Sequence, residues 1–298
     1  MASEEFRGIY PAAPLTPMEY GLFSVAKPTL HKADDVDARW VRGFLVDFES
    51  RPNYARNWSE TSATSEAVFT DVNAPYYADI RPYFLEVEDH ASPLSLLGLN
   101  RFERVVRQLE GVTQRNIERE LWEGTICRGE SYKNPYLRDA GTVNILNSSA
   151  AISAPRALAL LEHYITQVSA PGEQGVIHMT RDVATMLGSH WELLRIDNGD
   201  GTHHLETVSG THIVLGAGYT GNGPIGASGA TATDTVKWIY ATGNLNVHLG
   251  PSEVVNDNLA QAYDVTGNNN QLRIKATRPA AAFFDTSIHL AVKVDLTL

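Results

Sequence analysis

The chain has 298 residues, of which 43% are apolar and 20% charged, with a formal net charge of −11. That length and apolar share are enough for one or two packed domains and exclude extensive disorder. The acidic balance excludes a broad nucleic-acid-gripping surface, and the single cysteine, Cys127, excludes an intrachain disulfide. No apolar run approaches the ~18 residues of a membrane span. The opening MASEEFRG lacks the basic and apolar regions of a secretory signal, so folding in a cytoplasm is expected.

Residues 1–34 read as an arm. Pro11, Pro14, Pro17 and Pro28 forbid a continuous helix, and Ile9, Tyr10, Leu15, Leu22 and Phe23 follow no period. Such a segment makes no core of its own and is expected to lie along a neighbouring surface. Residues 37–80 read as a long two-stranded excursion: Trp40, Phe44, Val46 and Phe48 form the outgoing strand, a polar stretch turns the chain, and Ala67 to Val72 return it. Two strands alone are marginal in water, so the excursion needs a partner, in its own domain or in another subunit. YYADIRPYFLEVEDH, residues 76–90, reads as a further strand.

Asn100 to Gly124 carries the strongest helical signal. Phe102, Val105, Val106, Leu109, Val112, Ile117 and Leu121 recur at three- and four-residue steps. Asn100 is placed to cap this helix, with Glu103 in capping-box position, and Gly124 to stop it. The expected rod is roughly 36 Å long. Its other face is assigned Arg101, Arg104, Arg107, Arg115 and Arg119 with Glu103, Glu110, Glu118 and Glu120. Such a face is either solvated or meets other copies of the chain.

Ser153 and Pro155 open a second helix, PRALALLEHYITQV, and Thr180 caps a short third, RDVATMLG. From Trp191 the pattern turns to strands. LLRID and HHLETV flank an NGDG turn, followed by THIVLGAGY, VKWIYAT and NVHL. In the last strand Ile288, Leu290, Val292, Val294, Leu296 and Leu298 share one face, with His289, Lys293, Asp295 and Thr297 on the other. Strands and helices mix without βαβ alternation, so the fold class is α+β.

Three patterns suggest chemistry. Gly216 to Gly221 matches GxGxxG after an apolar strand, but no helical stripe follows to face a pyrophosphate, so a loop needing positive φ explains the glycines better. Asp197 to Gly201 fails as a calcium loop, because the register that fits Gly201 puts Ile196 and Thr207 where carboxylates are required; a hairpin turn is expected instead. His203 and His204 are adjacent and point to opposite faces of a strand. His163, His178, His190, His248 and His289 are scattered without a metal-binding spacing. No nucleophile elbow or phosphate loop occurs. The sequence therefore offers no catalytic residue, no cofactor site and no metal site.

Four segments together resemble the major capsid proteins of tailed bacteriophages, with the fold named after phage Hong Kong 97. IERELWEG, Ile117 to Gly124, resembles the end of that family's long spine helix. GTHIVLGAGY, Gly210 to Tyr219, resembles a glycine-flanked strand of its axial domain, and KWIYATG, Lys237 to Gly243, a segment just beyond. RPAAAFFDTSIHLAVKVDL, Arg278 to Leu296, resembles the C-terminal strand that returns to the peripheral domain. The order and spacing agree along nearly the whole chain.

The resemblance implies an N-terminal arm at 1–34, an extended loop at 35–80 and a peripheral domain at 81–139 and 269–298. The peripheral domain would hold a spine helix at 100–123, and residues 140–268 would form an axial domain around five- and six-fold axes. It implies a non-enzymatic subunit that self-assembles into pentamers and hexamers of an icosahedral shell. That shell would enclose double-stranded DNA without sequence-specific contact, with portal, scaffolding or decoration proteins as further partners and no membrane. The location implied is the virion, assembled in the host bacterial cytoplasm. Trp40, Phe44, Arg101, Arg104, Arg115 and Trp122 are the expected assembly residues. No lysine lies between Lys32 and Lys133, so the lysine–asparagine cross-link of some members is not expected. An encapsulin-type compartment shell shares the fold and stands as an alternative; a dinucleotide-binding enzyme rests on Gly216 to Gly221 alone.

Overall fold

The computed structural model describes residues 18–31, 40, 43–47, 77–91, 101–126, 134–146, 150–169, 174–188, 193–199, 202–255 and 272–297. In chain order the elements are α1 (Leu22–Val25), β1 (Thr29–Leu30), β2 (Phe44–Asp47), β3 (Tyr77–Ile80), β4 (Tyr83–Ala91) and α2 (Arg101–Glu123). There follow β5 (Val143–Asn144), β6 (Ile152–Ser153), α3 (Ala154–Val168), β7 (Val176–Met179), α4 (Arg181–Gly188), β8 (Leu193–Asp197), β9 (His203–Thr207) and β10 (His212–Leu215). The chain ends with β11 (Val236–Thr242), β12 (Leu245–Leu249), β13 (Glu253–Val254), β14 (Leu272–Phe284) and β15 (His289–Asp295).

α2 is the long helix the periodicity predicts. Val105, Leu109, Ile117 and Leu121 form its buried stripe, and Gly111 sits in its interior. It ends where Gly124 takes φ +60° and donates its N–H to the Glu120 carbonyl at 2.7 Å. Asn100, the expected cap, lies outside the described residues. The helix packs on a five-stranded sheet in the order β1-β12-β14-β13, with β4 also paired to β14. Arg81 and Pro82 divide the strand expected at 76–90 into β3 and β4.

The second sheet has eight strands in the order β5-β15-β11-β7-β10-β9-β8, with β6 also on β15. α3 and α4 cover one face, burying Leu158, Leu161, Ile165, Val183 and Leu187 against Ile177, Ile213, Ile239 and Val292. Two strands, one in each of these sheets, carry no clear sequence signal. β7 has four residues and is buried throughout, so it has no alternation to read. β14 contains Pro279 and three consecutive buried alanines, Ala280 to Ala282, because both of its faces are covered.

The sheets also correct the expected division of the chain. Residues 269–298 do not stay together: β14 lies in the five-stranded sheet and β15 in the eight-stranded one. Residues 140–268 divide too, since β12 and β13 join β14. The chain leaves the larger sheet at Gly243 and returns to it after Asp285. These crossings are bonded together: Gly243 N–H lies 3.2 Å from the carbonyls of Asp285 and Ile288, and Asp285 N–H donates to Asn244 O at 2.9 Å.

The surface along which the arm lies belongs to the same chain. Residues 18–31 lie on their own subunit. Leu22 is fully buried, β1 pairs in parallel with β12, and the Tyr20 carbonyl accepts from Leu215 N–H at 2.7 Å. Of the extended excursion, β2 and β3 pair antiparallel at its base, with Phe44 opposite Ile80. Its expected return strand at Ala67 to Val72 lies outside the described residues.

Candidate functional site

The C-terminal half of α2 is where most of the fold is tied together. Glu118 is fully buried rather than solvated. One of its carboxyl oxygens accepts from Leu22 N–H and from the Gln114 amide, both at 2.9 Å; the other accepts from Gly218 N–H at 3.1 Å. A single side chain thus holds the arm and the glycine-rich loop on the helix. Glu120 is buried as well, and accepts from Thr125 Oγ1 and Ile126 N–H in the turn beyond the helix. Both corrections have one cause. The helix is covered on more sides than a single apolar stripe indicates: the arm and the loop pack over Glu118, and Tyr83, Asn134 and Tyr136 lie beside Glu120.

That packing explains the glycines of the GxGxxG pattern. A Cβ on Gly218 would stand 2.2 Å from the Arg115 carbonyl oxygen and 2.6 Å from the Arg119 nitrogen, so the loop backbone lies directly on the helix backbone. A Cβ on Gly216 would run into the Tyr219 ring at 2.6 Å. Only Gly221 of the three has positive φ, at +76°. Close approach, more than left-handed backbone, is what the pattern serves.

Trp122 belongs to this junction too. It is fully buried, packs on Tyr219 and Tyr240 with ring centroids 4.6 and 4.9 Å away, and donates its indole N–H to the Asn222 carbonyl at 3.1 Å. Burial alone would raise the carboxyl pKa of neighbouring Glu123. Hydrogen bonds from Thr220 and Asn222 and the ion pair with Arg138 hold it below the ordinary carboxylate value. Beneath the loop lies His178, whose pKa burial and then nearby His289 push down to about 3. Thr242 Oγ1 donates to the Gly243 carbonyl at 3.1 Å, so it accepts from His178 Nε2–H at 2.9 Å. This leaves His178 Nδ1 to accept from the Tyr219 hydroxyl at 2.7 Å. The ring is neutral, with both nitrogens satisfied.

The expected assembly residues fall into three groups. Trp122 is spent on the core of its own chain, and Arg101 is largely buried with its guanidinium 3.2 Å from Asp89. Arg104 and Arg115 are exposed on α2. Trp40 and Phe44 cluster at the base of the excursion. Trp40 meets His31 and Phe44 edge-on at 5.3 and 5.4 Å, and Phe44 stacks on His248 at 5.1 Å. Phe44 is buried and Trp40 is half-buried.

Asp197 to Gly199 open the turn between β8 and β9, with Asp197 Oδ1 accepting from Gly199 N–H at 2.8 Å; Asp200 and Gly201 lie outside the described residues. The adjacent histidines bring a departure. His203 and His204 do point apart, but His204, Glu206 and His212 each offer a metal-ligand atom, and these atoms lie within 4.8 Å of one another. The H-x-E spacing on a strand followed by a hairpin return was the available signal, and no metal site is expected from the histidines read singly.

No protein-family model matches the chain, and no curated protein matches it either. Solved structures do. The capsid chain of the native GTA particle is 14% identical with a TM-score of 0.50, over 99% of this chain and 94% of that one. The chain of Mycobacterium phage Ogopogo is 10% identical with a TM-score of 0.51, over 99% and 96%. The chain has the Hong Kong 97-like capsid fold. In a Hong Kong 97-like subunit α2 is the spine helix, so the Glu118 and Glu123 anchors tie the spine to the arm and to the glycine-rich loop. Among the described residues no helix is long and apolar enough to cross a membrane.

Proposed function

We propose that this chain is the major capsid protein of a tailed bacteriophage. It assembles as pentamers and hexamers into an icosahedral shell around double-stranded DNA, in the host bacterial cytoplasm, and resides in the virion. The observation that carries the reading is the extent of the likeness: nearly all of this chain aligns with nearly all of a capsid chain. The net charge of −11 supports a container that does not bind its DNA contents tightly. The role is structural and uses no cofactor.

On this reading residues 1–34 are the arm and 35–80 the extended loop. The spine helix with the five-stranded sheet forms the peripheral domain, taking in β12 to β14. The eight-stranded sheet with α3, α4 and β15 forms the axial domain. Arg104 and Arg115 on the exposed ridge of the spine, with half-buried Trp40 held by buried Phe44 at the loop base, are the residues offered to neighbouring copies. Heterologous contacts that close around an axis generate the rings such a shell needs.

Negative-stain electron microscopy of the purified chain, with sizing chromatography beside it, tests the proposal. Closed shells or rings of five and six are expected, with DNA rather than an enzyme cargo in particles from the native source. A chain that stays monomeric at high concentration and on co-expression with its neighbouring genes overturns it. Arg104→Glu with Arg115→Glu should block assembly while changing subunit stability by no more than about 0.5 kcal/mol each, the usual range for surface substitutions.

A further inference from the structure

We propose that His204, Glu206 and His212 form a binding site for a divalent metal ion of the zinc class, on the face of the eight-stranded sheet near its β8 edge. The geometry follows from strand register. His204 and Glu206 are two apart on β9 and therefore share a face; His212 on β10 stands directly opposite Glu206. The turn at Val208 to Gly210 fixes that register, with Gly210 N–H donating to the Thr207 carbonyl at 3.0 Å and Thr207 N–H to the Thr211 carbonyl at 2.9 Å. Glu206 Oε1 ends 2.7 Å from His204 Nε2 and 3.4 Å from His212 Nδ1.

Three further observations point to a cation. First, His204 Nδ1 faces Asn198 Oδ1. The Asn198 amide nitrogen donates to Thr202 Oγ1 at 2.9 Å, so that amide is oriented with its oxygen toward the ring. His204 Nδ1 must therefore carry the proton, which turns the Nε2 lone pair toward Glu206. An outer hydrogen bond that sets the tautomer of an imidazole is the usual support of a metal ligand. Second, His212 Nδ1 is buried and makes no hydrogen bond, although Glu206 is close by. With Nδ1 carrying the ring proton, the His204 Nε2 lone pair faces the Glu206 carboxylate with no proton between them, and His212 Nδ1 makes no hydrogen bond; a cation between the three accounts for all of them. Third, two imidazoles and one carboxylate are a zinc-type donor set.

At metal–ligand distances of about 2.0–2.2 Å the three donor atoms need separations of roughly 3.4 Å; Glu206 Oε1 already stands at 3.4 Å from His212 Nδ1 and would draw back from its 2.7 Å approach to His204 Nε2. Three protein ligands leave a fourth position for water or for a group from a neighbouring copy. The ion would pin the β9–β10 hairpin, and through Asn198 the β8–β9 turn.

The test is titration of zinc chloride into the tag-free full chain after chelator treatment, followed calorimetrically. Cobalt chloride serves as a visible-absorption probe of ligand geometry. The expected result is one ion per chain. The double variant His204→Ala with His212→Ala should lose more than the roughly 10–100-fold in affinity typical of removing only an outer-shell partner. Glu206→Gln preserves shape and should also weaken binding and bleach the cobalt bands, which covers the case of a misfolded double variant. His203→Ala, on the opposite face, should bind as the parent does. Absence of zinc binding to the parent chain, or equal affinity in the parent and Glu206→Gln, overturns the proposal.

Discussion

Two regions built on the same sheet treat their polar groups in opposite ways. The loop from Gly216 to Gly223 is buried against the spine helix, and its anchors are satisfied inside the chain: Gly218 N–H on Glu118, Tyr219 on His178, and Asn222 shared between Glu123, Trp122 and Tyr240. The β8–β9–β10 edge is held by its ladder, a turn, the Thr211 hydroxyl donating to Glu162 at 2.9 Å and the packing of Leu193 and Leu205, and there the buried Nδ1 atoms of His203 and His212 make no hydrogen bond. An unmet donor or acceptor costs most where water is excluded; at the junction Gln114 Oε1, beside Glu118, carries that cost, while the loop's own groups are paired. The junction is therefore the place for fold-determining substitutions, and the edge the place where a ligand can still be taken up.

The sharpest way to break the contrast is Glu118→Ala. It strands two backbone N–H groups and the Gln114 amide, each worth about 1–3 kcal/mol when buried. Urea unfolding of the disassembled subunit should show a loss of about 3 kcal/mol or more. A loss below about 0.5 kcal/mol, the range of surface sites, would mean that the arm and loop do not depend on this carboxyl group.

Acid comes next. His178 is held at about 3 in the folded chain against an ordinary value of 6.5. Its contribution is complete above pH 6.5 and is lost as the pH falls toward 3, because only the unfolded chain takes up the proton. The slope from this one group is about 1.4 kcal/mol per pH unit. His289 and His212, also held low by burial, add with the same sign. Glu123, held below 4.5, adds to the loss only below that value. His178→Gln keeps a donor and an acceptor and should flatten the curve between pH 6.5 and 4.5 by its own share. An unchanged slope would contradict a neutral buried ring.

The smallest effect belongs to the edge. Gly199 has φ +78° with open space around it, so Gly199→Ala meets backbone strain and no clash. A cost of about 1 kcal/mol in the same unfolding experiment is expected. A cost as large as that of Glu118→Ala would show that the hairpin is as tightly coupled to the core as the junction is.

Legibility in the sequence followed the range of the forces involved. α2, α3 and α4 could be read because helical periodicity is local, and Gly124 marks the end of α2 by its own backbone preference. The β8–β9 hairpin could be read from its turn residues. β7 and β14 could not, because strands covered on both faces lose the alternation that marks a strand. For the same reason Trp122 and Arg101 could be read as surface residues: whether a side chain on a helix is covered depends on what the rest of the chain lays over it.

The sequence by itself determined the α+β class, the long helix, the hairpins and, through four segments in order, the likeness to capsid subunits. Only the tertiary structure decided that β14 and β15 part into different sheets, that the arm from residue 18 docks on its own subunit, and that Glu118 is the buried knot between them. It alone brought His212 opposite Glu206 and beside His204. The physical reason is that these facts concern contacts between residues far apart along the chain. Strand register and close backbone approach set them, and neither leaves a period in the sequence.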